Sequence, residues 1–318
     1  MSDQMFKMIG DLGIVPVVVM NDAENAVPLA NALIKGGLPV AEITFRTAAA
    51  EETVKKMSAE TEILVGAGTI LTTELADKAI KAGAKFIVSP GINPDVVKFC
   101  QDKGVAITPG CANPTDIETA LSLGLNVVKF FPADPMGGIK TLKAISGPYS
   151  MIKFLPTGGI TTKTMMDYLS FPKVLACGGS WMVKPDVIDA KNFDEIENIT
   201  RESVQIMLGF DLAHLGINTS SSDAALECAE TLGDLLTLEV KPGNSSNFVS
   251  SIFEIMKGDG LGEHGHIAIR TNNINRAIAY LERKGIEVDM STAKGNPMIA
   301  VYLKDSYYGY AIHLLQKK

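Results

Sequence analysis

The chain has little cysteine, a single tryptophan and no long apolar run, and each scarcity removes a class of protein. Its four cysteines, Cys100, Cys111, Cys177 and Cys228, show no paired spacing of a metal or dithiol site. Each is expected to be a small buried hydrophobe, in a protein of the reducing cytoplasm. The longest apolar runs, such as Ile14–Met20, are too short to span a bilayer. No basic segment followed by an apolar core opens the chain, so no signal peptide is expected. The 29 Lys and Arg are scattered among 36 Asp and Glu, for a net charge of −7. Without a broad positive field, nucleic acid and anionic membranes are not expected partners. What is present is the composition of a soluble globular protein: 46% hydrophobic, 20% charged, 29 Gly and 15 Pro over 318 residues, a length comfortable for two domains.

Up to about Gly209, short Val- and Ile-rich runs alternate with helical patterns. The runs are Ile14–Met20, Val40–Phe45, Ile63–Thr69, Phe86–Pro90, Ala106–Gly110, Val127–Ala133, Lys153–Gly159 and Val174–Ser180. Amphipathic stretches such as Ala23–Lys35, Thr73–Ala82, Pro94–Lys103 and Pro114–Leu123 lie between them. Eight β–α units predict an α/β fold, a closed (β/α)8 barrel. A doubly wound open sheet is the competitor, disfavoured because the repeats contain no GxGxxG fingerprint. After Gly209 the pattern changes to a strand, a helix and further strands, repeated once. Ala213-His214-Leu215-Gly216-Ile217 echoes Gly265-His266-Ile267-Ala268-Ile269, a repeat of about fifty residues. The expected division is therefore 1–208 as the barrel and 209–318 as a smaller α+β domain of two tandem βαβββ modules.

In a barrel of this kind, polar residues at the C-terminal ends of strands carry the chemistry. Lys129 lies inside the apolar Val127-Val128-Lys129-Phe130-Phe131-Pro132. Burial of an ammonium group favours the neutral amine, the nucleophile that forms an imine with a ketone. A lysine snorkelling at a strand end, or half of a structural ion pair, is the alternative. In Val40–Arg46, strand alternation puts Glu42, Thr44 and Arg46 on one face. Glu42 reads as an acid/base group or as the partner of Arg46 or Lys129, and Arg46 as a clamp for a carboxylate. Two glycine turns, Thr157-Gly158-Gly159 and Gly178-Gly179-Ser180, follow strands seven and eight, where backbone N–H groups and a helix N-terminus commonly hold phosphate.

These segments, with "VGAGT" at Val65–Thr69, "SPG" at Ser89–Gly91, "PTGGI" at Pro156–Ile160 and "GGSW" at Gly178–Trp181, resemble the KDPG/KHG aldolases in order over about residues 5–208. The resemblance implies a class I aldolase that cleaves 2-keto-3-deoxy-6-phosphogluconate to pyruvate and glyceraldehyde 3-phosphate without a cofactor. The related substrates are 4-hydroxy-2-oxoglutarate and 2-keto-3-deoxy-6-phosphogalactonate. It implies Lys129 as Schiff-base lysine and Glu42 as acid/base, with Arg46 and Thr69 on the pyruvyl carboxylate. Pro90 and Phe131 would line the pocket, with Thr157, Gly158, Gly159, Gly179 and Ser180 around the phosphate. It also implies a trimer or larger homo-oligomer. "TPGCANPTD" at Thr108–Asp116 departs from the family's hydroxyl-rich loop, with Asn113 in place of a hydroxyl residue, which bears on sugar recognition.

The second domain resembles the vicinal oxygen chelate, or glyoxalase-like, superfamily. Its ligand positions match His214 in "HLGI", Glu254 in "FEIMKG", His266 in "HIAI" and His313 in "YAIHLLQK". All four histidines of the chain lie here. Three imidazoles and a carboxylate suit Zn²⁺, Fe²⁺, Ni²⁺ or Mn²⁺. His313 departs from the pattern, whose last ligand is usually Glu. His264 belongs either to the strand face of His266 or to the loop before it. A non-catalytic sugar-phosphate sensor and a bifunctional enzyme are the competing readings of the whole chain.

Overall fold

Parallel strands covered on both faces read as unbroken apolar runs, and the computed structural model, which describes residues 2–317, shows this along the first two-thirds of the chain. Eight strands succeed one another with helices between them: β1 (Ile14–Val18), β2 (Val40–Thr44), β3 (Leu64–Gly68), β4 (Phe86–Val88), β5 (Ala106–Thr108), β6 (Val127–Phe130), β7 (Lys153–Pro156) and β8 (Cys177–Gly179). Ladders join them in the order β5-β4-β3-β2-β1-β8, with β6-β7 as a separate pair. Single parallel bridges, Gly110↔Lys129, Phe154↔Val174 and Thr157↔Gly178, join the two sheets into a closed (β/α)8 barrel. The open doubly wound sheet is thereby ruled out.

Local signals place the helices. Thr72 caps Thr73–Ala82 by accepting from the Leu75 amide, and Gly83 ends that helix with a left-handed φ of 112°. Asn93 and Asn113 cap the next two helices, each with proline at the first position. The N-terminal helix Ser2–Leu12 turns Phe6, Ile9 and Leu12 onto Val15, Val40, Phe86, Val88, Ala106, Val127, Leu155 and Ala176. This cluster is the floor of the barrel. It also fixes which residues point inward: two positions beyond Val40 and Val127 stand Glu42 and Lys129. Gly66 and Gly68 are inward positions of β3. A Cβ on Gly66 would lie 2.2 Å from the Phe86 ring, so glycine there makes room for the floor.

The chain divides into units Met1–Met207 and Leu208–Lys318. The first ends on the helix Phe193–Leu208. The second holds β9 (Asp211–Ile217), β10 (Val240–Pro242), β11 (Ser246–Val249), β12 (Phe253–Met256), β13 (Gly265–Thr271), β14 (Val288–Lys294), β15 (Ala300–Tyr307) and β16 (Tyr310–Gln316). Helices Ser222–Leu236 and Ile274–Arg283 follow β9 and β13. The strand order β10-β11-β12-β9-β13-β16-β15-β14 is two βαβββ modules side by side, joined through antiparallel β9 and β13. Ala225 and Ala229 on the first helix pack on Val249 and Ile255 of the sheet. No helix among the described residues is long and apolar enough to cross a membrane.

Candidate functional site

Near the C-terminal end of the barrel, Lys129 and Glu42 meet. Both are buried, 5% and 1% exposed, and Nζ of Lys129 donates to Oε1 of Glu42 over 3.5 Å. The other carboxylate oxygen, Oε2, has no partner within the protein. Of the pairings open at the sequence level, the chain thus makes Glu42–Lys129. Arg46 turns its Nε to the Thr69 hydroxyl instead, at 3.0 Å. Thr44 donates to the Val18 carbonyl at 2.8 Å and serves the barrel wall.

Glycine 68 sets the position of the carboxylate. A Cβ there would stand 2.1 Å from Glu42 Oε1, so the side chain of Glu42 occupies the space that any other residue on β3 would fill. The motif "VGAGT" contained this signal, since glycines at alternate positions of a strand mark an inward face kept clear. Phe131 lies over the amine, its ring centre 5.1 Å from Lys129 Nζ. Pro90 is two residues beyond the inward Val88 and reaches the same rim. A Cβ on Gly110 would sit 1.9 Å from the Pro90 carbonyl oxygen, which places the β5 end close against it.

Thr157 and Thr108 are inward positions on β7's end and β5, the neighbours of the lysine strand. Both hydroxyls are buried and without a hydrogen-bond partner. Thr157 was expected at the site and Thr108 was not, because an isolated threonine in an apolar run carries no pattern. Asn113, expected to bear on sugar recognition, spends its side chain on capping: it accepts from the Asp116 amide and donates to the Asp116 carboxylate, at 3.1 and 3.0 Å.

The glycine turns lie at the ends of β7 and β8. Gly158 and Gly159 have φ of 100° and 81°, left-handed conformations that favour glycine. A Cβ on Gly159 would lie 2.3 Å from that of Asp134, and one on Gly179 would lie 1.9 Å from the Trp181 ring. Among the described residues no protein group accepts from the amides of Gly158, Gly159 or Ser180. The following helices, Met165–Leu169 and Pro185–Asp189, begin several residues later, so free loop amides rather than helix termini face any ligand there. The thiols of Cys100 and Cys111 are pushed up to about 12 by burial, which makes them packing groups.

In the second unit the register brings four expected residues onto one face. Glu254 and His266 flank Gly216 in one row of the sheet, and His214 and His313 flank Ala268 in the next. Small residues alternate with large, and a Cβ on Gly216 would lie 2.1 Å from the His266 ring. His214 Nε2 and His266 Nε2 stand 3.0 and 3.2 Å from Glu254 Oε2. Ser246 donates to the other oxygen of Glu254 at 2.7 Å. His313 Nε2 is buried with no partner, and one ring nitrogen from each imidazole falls within 4.8 Å of the others. Tyr302 stacks on His313 at 4.6 Å, and Phe248 meets His214 edge-on at 5.6 Å. His264 stands in the loop before β13 and packs on Tyr310.

Burial raises the Glu254 carboxyl, but hydrogen bonds with His214, His266 and Ser246 outweigh it and hold the group well below the carboxylate range. Burial, then the charges of His266 and His214, push His313 down from 6.5 to about 3.

A closed barrel with an inward lysine held against a carboxylate and open glycine turns at two strand ends defines a Schiff-base lyase type of site. The family model for KDPG and KHG aldolase matches residues 6–199, and the chain belongs to that family. The 2-dehydro-3-deoxy-phosphogluconate aldolase of Haemophilus influenzae is 45% identical over 207 residues, 65% of this chain and 98% of the relative. The KHG/KDPG aldolase of Escherichia coli K12 is 39% identical over 193 residues, 60% of this chain and 91% of the relative. A solved structure of the KDPG aldolase from Legionella pneumophila, with pyruvate captured as a covalent carbinolamine, is 36% identical with a TM-score of 0.60. It covers 62% of this chain and 97% of that one.

Two outcomes follow from this geometry. Gly68→Ala displaces the Glu42 carboxylate and lowers lyase turnover by about 10²-fold, the order expected for a shift near one ångström. Far-UV circular dichroism reports the fold; a folded variant with unchanged turnover contradicts the role of the pair's placement. In metal-free protein, acid weakens the second unit. Its unfolded chain takes up a proton at His313 below the ordinary 6.5 while the fold resists until about 3, and at Glu254 below 4.5. The unfolded state therefore binds more protons, and stability falls as pH falls through this window. Amide exchange in β13 and β16, corrected for its intrinsic pH dependence, shows weaker protection at about pH 5 than at about pH 7.5; equal protection contradicts the buried placement of His313.

Proposed function

We propose that the first unit cleaves 2-keto-3-deoxy-6-phosphogluconate to pyruvate and glyceraldehyde 3-phosphate through a Schiff base on Lys129. The approach of Lys129 Nζ to Glu42 Oε1 at 3.5 Å, inside a barrel of this family, carries the reading. Once its ammonium proton has passed to Glu42, the Lys129 amine adds to the C2 ketone, and Glu42 gives that proton to the carbinolamine oxygen so that water leaves. The iminium then draws the C3–C4 electron pair. As that bond breaks, the C4 hydroxyl gives up its proton to the Glu42 carboxylate, glyceraldehyde 3-phosphate departs, and a pyruvate enamine stays on Lys129. Protonation at C3 and return of water release pyruvate and the free amine. The iminium supplies the polarisation that a Lewis acid would otherwise provide, so this unit's chemistry calls for no cofactor.

Arg46, steadied by Thr69, binds the pyruvyl carboxylate, and Phe131 and Pro90 wall the pocket. The free amides of Gly158, Gly159 and Ser180, with Gly179 and Thr157 beside them, take the phosphate. Those amides favour a phosphorylated substrate over 4-hydroxy-2-oxoglutarate. The carbinolamine trapped in the Legionella relative supports the same imine route. A homotrimer or larger assembly and a cytoplasmic setting belong to this reading, the first resting on the family resemblance and the second on four free thiols.

For the second unit the reading is a vicinal oxygen chelate domain with a divalent metal on His214, Glu254, His266 and His313. The donors fit: three imidazole nitrogens converge, Glu254 Oε2 lies beside those of His214 and His266, and the buried His313 Nε2 lacks a partner. Zn²⁺, Fe²⁺, Ni²⁺ or Mn²⁺ would supply Lewis-acid chemistry there. Ser246 orients the carboxylate and Tyr302 steadies the His313 ring.

Steady-state kinetics tests the aldolase reading. Lys129→Met shows no turnover above background, and Glu42→Gln lowers kcat by about 10² to 10⁴. The phosphorylated gluconate substrate gives the highest kcat/KM of the three 2-oxo acids named above. Equal kcat/KM with and without the phosphate overturns the assignment of the glycine turns.

A further inference from the structure

The loop that follows the lysine strand brings a carboxylate to the first of the glycine turns. Asp134 donates its amide to the Gly158 carbonyl at 3.0 Å, and Ala133 donates to that of Thr157 at 2.8 Å, so the loop lies along the turn. The three atoms nearest to a Cβ built on Gly159 all belong to Asp134, and one of them, Oδ2, is 3.1 Å away. A Cβ stands two bonds from the amide nitrogen, which puts Oδ2 within about 6 Å of the Gly159 nitrogen. Yet Oδ2 does not accept from that amide, and no basic side chain among the described residues pairs with Asp134. Other loop aspartates of the barrel behave differently: Asp22 and Asp116 accept from the amides of Glu24 and Ala112 at 3.0 and 2.9 Å. Asp134 is exposed, so its charge is left to act on whatever enters the turn.

We propose that Asp134 loosens the grip of the glycine turns on the phosphate and so sets how readily the phosphorylated product leaves. This rests on the placement of the phosphate at the amides of Gly158, Gly159 and Ser180. Those amides offer partial positive charge to a group that carries about two negative charges at neutral pH. A carboxylate beside them repels the same group and offsets part of its binding. The effect on turnover follows from where the phosphate sits in the substrate. It is remote from the C3–C4 bond and stays on glyceraldehyde 3-phosphate when that bond breaks. A contact of equal strength in ground state and transition state lowers KM without raising kcat. Here it would also delay departure of the product, which keeps the whole contact. Repulsion by Asp134 weakens the hold on substrate and product alike, and glycine at 159 is what admits the carboxylate to that position.

The test compares the full chain with its Asp134→Asn variant, which keeps the shape and removes the charge. The substrates are the phosphorylated gluconate acid and the same acid without its phosphate. The expected result is a KM for the phosphorylated acid about three- to tenfold lower in the variant, the order of one screened repulsion. The inhibition constant of glyceraldehyde 3-phosphate falls by a similar factor, and kinetics with the unphosphorylated acid do not change. The gap between the two proteins narrows as salt is added, because exposed charges are screened over about 10 Å at 0.1 M ionic strength. A phosphate preference in the wild-type chain, with KM unchanged or raised in the variant, overturns the part given to Asp134 and leaves the phosphate placement standing. A fall in KM that is equal for both acids, or that salt does not alter, also overturns it. Equal kcat/KM with and without the phosphate in the wild-type chain, or cleavage of neither acid, overturns the placement and the part given to Asp134 together.

Discussion

Two opposite charges buried against each other govern the first unit. Taking Glu42 and Lys129 out of water costs several kcal/mol per ion, and their attraction offsets this only if the geometry is held. The barrel holds it from several sides. β2 and β6 each present one inward charge, the floor packed on the N-terminal helix fixes which residues face inward, and Gly68 keeps clear the volume that the carboxylate fills. A contact of 3.5 Å with one oxygen unpartnered is not optimised for stability. It leaves the amine accessible to a ketone and the carboxylate free to move a proton.

The second unit solves a related problem differently. Its buried polar groups come one from each of four adjacent strands, spaced by Gly216 and Ala268, so that large rings fit without a helix above them. Glu254 accepts from two imidazoles while the third is left without a partner. Such a half-satisfied network costs stability in a protein whose only task is to fold. It is economical where an ion completes it.

Much of this was legible because buried parallel strands repeat a simple pattern. Lys129 and Glu42 were visible as charges inside apolar runs, and His214, His266 and His313 as the only imidazoles at equivalent points of a repeat. The strand ends were less legible. The runs continue to Thr69, Pro90 and Ser180, whereas the ladders stop at Gly68, Val88 and Gly179. Thr69, with φ of 60°, leaves the strand by a backbone turn that composition does not reveal. Gly68 was in view as part of a motif, but its purpose appears only with the Glu42 carboxylate in place. Tyr302 lay further out of reach. The hairpin pairs Tyr307 with Tyr310 and Ser306 with Ala311, and simple counting would then set Lys304 opposite His313. An irregularity between Tyr302 and Ser306 shifts the register and delivers Tyr302 instead.

The central claim is that the amine of Lys129 is the group that bonds to substrate. Borohydride reduction in the presence of pyruvate, followed by peptide mapping by mass spectrometry, tests it most directly. The account predicts a reduced pyruvyl adduct on the peptide containing Lys129 and on no other lysine. A folded protein that gives no adduct, or one modified at a different lysine, would contradict it.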